Sequence, residues 1–301
     1  MSALAAASTT VPFSAGTGRP ATVLPAGACD CHMHVYDGRF PAAPGAALLP
    51  PDASVADYRQ LQQRIGTRRT VLVTPSTYGT DNACMLAGLA ALGDDARGVA
   101  VVDESVSDAE LLRLHGLGVR GIRFNLSLGG HPPASSLRPL AERIAALGWH
   151  VQLLAPPETL LAVQDDLRSL PVPLIFDHLG RIAPAQAGQH PAHALVLELL
   201  RADKAWLKLS GGYIVSALHR TDDPAVAALA ATYLDAAPHR LVWGSDWPHA
   251  TASAGRHPMP DDAAQVDALA RWTGTPERLH QVLVDNPRAL YGFPAPAPIS
   301  P

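Results

Sequence analysis

Ala28-Cys29-Asp30-Cys31-His32-Met33-His34 is a short apolar run that ends in two histidines two residues apart. Read as a β-strand, it alternates its side chains, so Asp30, His32 and His34 share one face and Cys29, Cys31 and Met33 the other. The two imidazoles then converge on one spot. A single such pair arises by chance in many strands. Its weight comes from a second stretch far down the chain, Val242-Trp243-Gly244-Ser245-Asp246-Trp247-Pro248-His249, an apolar strand that ends in an acid. Histidines ending a first strand and an aspartate ending a last one imply a barrel whose two edges meet.

Between these stretches, strand-like and helix-like segments alternate. Strands are expected at 69–74, 98–102, 119–126, 150–154, 173–178, 206–209 and 240–245. A first helix starts at Ser54, with Asp57 placed to complete a capping box and Val55, Tyr58, Leu61 and Ile65 at helical spacing. Ser107 with Glu110 three residues on announces a later helix, 157–170 is expected as one helix, and 275–292 closes the chain. The fold class is therefore α/β, a single (β/α)8 TIM barrel over 27–293. Residues 1–26 are expected as a flexible tail and 294–301 as a disordered Pro-rich tail. The loop 37–52, rich in Pro, Gly and Ala, is long enough to cover part of a site.

Composition permits this architecture. The chain has 301 residues, 48% of them hydrophobic, and such barrels take roughly 250. A net charge of −4 and a sequence pI near 6.3, without any Lys/Arg cluster, exclude a nucleic-acid footprint and leave a small-molecule ligand. Cys29 and Cys31 sit too close on one strand for ordinary disulfide geometry. That suits a reducing compartment. The first residues carry no basic group before Arg19 and no sustained apolar run, so they do not resemble a signal peptide. With no stretch apolar enough for a membrane span, a cytoplasmic protein, monomeric or homo-oligomeric, is expected.

In such barrels the chemistry sits at the C-terminal ends of the strands. There the sequence places His32, His34, Ser76, Arg123, Asn125, Gln152, His178, Tyr213 and Asp246, with Tyr78 in a neighbouring loop. Singly, each has an ordinary explanation: Gln152 satisfying a neighbour, Ser76 capping a helix, Tyr213 packing. Four ionisable groups gathered at strand ends are another matter. His32, His34, His178 and Asp246 would be costly to bury together without a purpose.

At these residues the chain resembles the amidohydrolase superfamily, from about Cys29 to Phe293. The likeness is carried by Asp30-Cys31-His32-Met33-His34, Gly121-Ile122-Arg123-Phe124-Asn125, Asp177-His178-Leu179-Gly180-Arg181, Trp243-Gly244-Ser245-Asp246-Trp247-Pro248 and Asp285-Asn286-Pro287-Arg288-Ala289-Leu290-Tyr291-Gly292. It is strongest to the lactone-processing branch, which includes 2-pyrone-4,6-dicarboxylate lactonase, 4-sulfomuconolactone hydrolase and D-galactarolactone isomerase. Around 29–41, 74–82 and 118–126 it most resembles the isomerase.

The resemblance implies an enzyme acting on the ester carbonyl of an acidic lactone. Asp246 would be the general base, His32, His34 and His178 would stabilise the oxyanion, and Arg123 would clamp a carboxylate. Asn125, Ser76, Tyr78, Gln152 and Tyr213 would contact substrate. The pyrone-dicarboxylate pattern has a second arginine after Arg123 and a tyrosine in the first loop. Here those stretches read Leu126-Ser127-Leu128-Gly129-Gly130 and Ala46-Ala47-Leu48-Leu49-Pro50. With Arg123 the one evident clamp, an aldarate lactone isomerised from the 1,5- to the 1,4-form is the expected substrate. Lactone hydrolysis and a metal-dependent hydrolase or decarboxylase are the alternatives, and a ligand-binding sensor is the rival outside enzymes.

No cofactor is expected to be required. Should a divalent metal such as zinc bind, His32, His34, His178 and Asp246 would hold it. Strand alternation puts the Cys29 and Cys31 thiols on the face away from the imidazoles.

Overall fold

The computed structural model describes residues 10–128 and 132–294. Eight parallel strands follow one another around the sheet: β1 Cys29–Met33, β2 Arg69–Val73, β3 Ala96–Ala100, β4 Val119–Asn125, β5 His150–Leu154, β6 Leu174–Phe176, β7 Ala205–Lys208 and β8 Leu241–Val242. β8 is shorter than expected. Beyond Val242 the backbone stays extended enough to join the first strand: Cys31 N donates to Trp243 O, Asp246 N to His32 O, and His34 N to Trp247 O, each at 2.8 Å. Those three bonds close the barrel at the level where the two histidines and Asp246 sit.

The lumen floor is apolar. Cys29, Cys31, Val71, Val73, Val99, Ile175, Trp206 and Val242, drawn from six strands, pack together there with Tyr291 and Phe293 of the closing segment. Side chains from so many strands meet only inside the barrel. This corrects the expectation that the cysteine thiols face away from the imidazoles. The β1–β2 register shifts between Asp30 and Met33, and such a bulge breaks strict alternation. Asp30 instead leaves the lumen, accepting from the Tyr58 hydroxyl at 3.0 Å and from Ser245 Oγ at 2.6 Å. Burial raises its pKa to about 6, against those hydrogen bonds.

The helix Val55–Ile65 forms where the sequence places it, with the Ser54/Asp57 capping box intact. The stretch expected as one helix over 157–170 is two, Pro157–Ala162 and Gln164–Ser169, broken at Val163. Residues 10–26, expected within a flexible tail, are packed on the barrel. Phe13 meets Trp247 edge to face at 5.7 Å, Arg64 Nε donates to Gly18 O, and Asp267 accepts from the Ala21 and Thr22 amides. The remaining tail expectations, for 1–9 and 295–301, lie outside the described residues. Among the described residues no helix is long and apolar enough to cross a membrane.

Candidate active site

A cavity of about 620 Å³ opens at the C-terminal ends of the strands, within the size range of small-ligand sites. The loop after β1 walls one side through Ala43–Leu48. Three local features aim side chains into it. A Cβ on Gly244 would stand 2.5 Å from His32 Cβ, so the glycine lets the β8 segment press against β1. Asp246 has a φ of 68°, a left-handed turn that lifts its carboxylate out of strand direction. After β6, His178, Leu179, Gly180 and Arg181 all have positive φ, and the turn delivers both His178 and Arg181 to the cavity.

The predicted quartet assembles. Asp246 Oδ1 lies 3.6 Å from His32 Nε2, 3.6 Å from His178 Nε2 and 3.8 Å from His34 Nε2. His34 Nδ1 is 2.7 Å from Val73 O, and His178 Nδ1 is 3.0 Å from Ser210 Oγ. Burial holds all three imidazoles below their ordinary pKa, His34 at about 4 with Arg123 adding to the effect. Burial alone would raise Asp246, but the facing His178, His32 and His34 keep it down at about 2. Near neutral pH the centre is therefore a carboxylate ringed by neutral imidazoles.

Arg123, Asn125 and Ser76 also line the cavity, and Asn125 Nδ2 donates to Ser76 Oγ at 2.7 Å. Three other expected contacts sit elsewhere. The Tyr78 hydroxyl accepts from Asp37 N at 2.9 Å, away from the cavity wall. Gln152 is buried beneath it, donating to Asp177 Oδ2 at 3.0 Å. Tyr213 touches Asp246, donating to its Oδ2 at 2.9 Å. Burial and Asp246 raise the Tyr213 pKa, so it stays a hydroxyl.

Sequence reasoning missed what surrounds the quartet. Tyr213 is followed by His249 Nδ1 at 3.1 Å, and His249 Nε2 lies 3.1 Å from Asp262 Oδ2. Burial opposes charge on His249, yet Asp262 outweighs it and raises the pKa. Below the cavity, Asp177 and Lys208 form a fully buried pair at 3.3 Å. Asp177 had a signal as the residue before His178, and Lys208 as the lone charge in Trp206-Leu207-Lys208-Leu209. Arg181, Tyr36, Arg256 and His257 join the wall from the connections after the strands, and Thr251 from the short helix Ala250–Ser253, where sequence spacing says nothing of direction.

The donor spacing suits a divalent ion. His32 Nε2 and His34 Nε2 are 3.2 Å apart, and the distances to Asp246 Oδ1 are 3.6 to 3.8 Å. Tetrahedral zinc with bonds of about 2.0–2.1 Å needs its ligand atoms about 3.4 Å apart. His32, His34 and Asp246 are one of two groups among the described residues spaced to hold a metal.

Residues 29–293 match the amidohydrolase family Amidohydro_2. A 2-pyrone-4,6-dicarboxylate hydrolase from Comamonas testosteroni is 37% identical over 289 residues, covering 92% of this chain and 94% of its own. D-galactarolactone isomerase from Agrobacterium fabrum is 32% identical over 276 residues, covering 90% and 93%. A solved apo structure from Agrobacterium tumefaciens, 30% identical, superposes with a TM-score of 0.82 over 92% of this chain and all of that one. Identity is thus higher to the hydrolase than to the isomerase, the reverse of the ranking expected from short stretches.

Proposed function

The chain belongs to the Amidohydro_2 family and is a lactone-acting enzyme, and within that family we propose that it hydrolyses a lactone bearing acidic groups on both sides of the ring. One observation carries this reading: three arginines from different elements line the cavity around Asp246. Arg123 is on β4, which stands across the eight-stranded ring from β8. Among the described residues its buried Nε makes no hydrogen bond, with Asp177 Oδ2 3.7 Å away. Arg256 follows β8, and Arg181 follows β6 without a hydrogen bond or ion pair among the described residues. A substrate with one carboxylate at Arg123 and another toward Arg181 and Arg256 would use all three. The expectation of Arg123 as sole clamp considered strand ends, and these two arginines come from loops.

Asp246 would take a proton from a water as that water's oxygen bonds to the lactone carbonyl carbon. The ring C–O bond then breaks, and the same proton goes to the departing ring oxygen, giving a hydroxy or enol acid. His32 and His178 border the carbonyl oxygen while it carries charge, and His34, whose one N–H goes to Val73 O, positions His32 through its Nε2. Tyr213, backed by His249 and Asp262, holds the carboxylate oriented. A divalent ion at His32, His34 and Asp246, whose spacing would admit one, would supply a Lewis acid for that carbonyl only with the His32 proton moved from Nε2 to Nδ1.

A second reading, isomerisation of an aldarate lactone, draws on the amide and hydroxyl of Asn125 and Ser76, which face the cavity and suit sugar hydroxyls. A proton NMR time course on 2-pyrone-4,6-dicarboxylate, galactaric and glucaric lactones and a neutral lactone separates the two. Ring-opened product from the diacid lactone is the expected result. An inert diacid beside a rearranged aldaric lactone would overturn the hydrolytic reading.

A further inference from the structure

The hydrogen bonds around His32 determine which of its ring nitrogens carries the proton. His34 Nδ1 lies 2.7 Å from the Val73 carbonyl oxygen. A carbonyl only accepts, so that nitrogen is the protonated one, and the neutral ring presents a lone pair at Nε2. This lone pair faces His32 Nε2 at 3.2 Å. Two lone pairs at that distance would repel, whereas a proton on His32 Nε2 makes the contact a hydrogen bond.

The other side of the ring gives the same answer independently. Gln152 Nε2 donates to the Asp177 carboxylate at 3.0 Å. Its Oε1 therefore faces Lys208 Nζ, 2.7 Å away, and accepts from it. An ammonium has donors and no lone pair, so the 3.1 Å contact from Lys208 Nζ to His32 Nδ1 is a donation too. Asp177 Oδ1 lies 3.2 Å from the same nitrogen but, among the described residues, makes no hydrogen bond of good geometry. Burial lowers the Lys208 pKa, and Asp177, 3.3 Å from Lys208 Nζ, opposes that shift and favours the ammonium.

We propose that Lys208 is a positioning residue that holds His32 as its Nε2–H tautomer, making the ring a hydrogen-bond donor toward the reaction centre instead of a metal ligand. The order runs from Lys208 to His32, His34 and Val73 O, each link a donor meeting an acceptor. Coordination through His32 Nε2 would require the proton on Nδ1, where it would meet the Lys208 ammonium. The donor spacing suits zinc; the proton order opposes it. This inference holds for any lactone, because the tautomer is a property of the free protein.

The test is 15N NMR of the full chain with labelled histidine after chelator treatment, the His32 signals being assigned by their loss in His32→Asn. Wild type is expected to show a protonated Nε2 and a bare Nδ1 on His32, Lys208→Met the reverse, and Lys208→Arg the wild-type pattern. Zinc alone, titrated in competition with a chromophoric chelator, is expected to bind Lys208→Met at least about tenfold more tightly than wild type or Lys208→Arg. A proton on Nδ1 of His32 in wild type overturns the proposal. So does a Lys208→Met protein with unchanged tautomer and zinc affinity. Should Lys208→Met fail to fold, the wild-type spectrum decides alone, and neither result touches the lactone reading.

Discussion

Replacing Arg181 by methionine separates recognition from folding. In the free protein its guanidinium makes no hydrogen bond or ion pair among the described residues, and burial lowers its pKa, with Asp246 opposing. Methionine keeps an apolar stem of similar reach, so the stability change should stay within about 0.5 kcal/mol. A charge-assisted hydrogen bond to a substrate carboxylate contributes about 1.5–3 kcal/mol. Because Arg181 is partly exposed, the lower part of that range applies. At about 1.4 kcal/mol per factor of ten, this means roughly 10- to 30-fold. The assay is kcat/KM for a lactone diacid and for its counterpart with one carboxylate esterified, in wild type and Arg181→Met. The diacid should lose roughly 10- to 30-fold, mainly through KM, and the monoacid less than about threefold. Equal losses on both substrates would refute the reasoning and make Arg181 a residue of general structure.

Other substitutions probe the remaining parts of the site. Asp246→Asn should leave ligand binding measurable by calorimetry while lowering kcat by about two to four orders of magnitude, the usual range for loss of a general base; near-normal turnover would remove Asp246 from the mechanism. Tyr213→Phe removes the donor to Asp246 Oδ2 and should reduce kcat by roughly tenfold or more with little change in KM, whereas a purely aromatic packing role would leave kcat unchanged. Gly244→Ala places a Cβ 2.7 Å from His32 N, a backbone atom that has nowhere to go. It should destabilise by about 1–3 kcal/mol, visible as a lowered Tm in thermal melts, and reduce activity with it.

Much of this site was legible because barrel chemistry is tied to strand ends, and strand ends are marked by pattern. His32, His34, His178 and Asp246 could be placed together before any coordinates, since each closes an apolar run. The bulge between Asp30 and Met33 carried no such mark: neither glycine nor proline announces it, and strict alternation turned the cysteines the wrong way. Lys208 sat in view as the lone charge in an apolar strand, yet its partners are Gln152 on β5 and Asp177 just after β6, and only the closed barrel brings them within reach. Arg181 reaches the cavity through consecutive left-handed residues, three of which are not glycine, a turn that spacing does not encode. Arg256 and His257 belong to a loop whose direction is set by tertiary packing alone.

In the proposed mechanism water, activated by Asp246, attacks the lactone carbonyl. A single turnover in 18O-labelled water tests this most directly, with the product analysed by mass spectrometry. One 18O atom is expected in the carboxylate formed from the lactone carbonyl of a ring-opened acid. A product of unchanged mass, free of label and still a lactone, would contradict it.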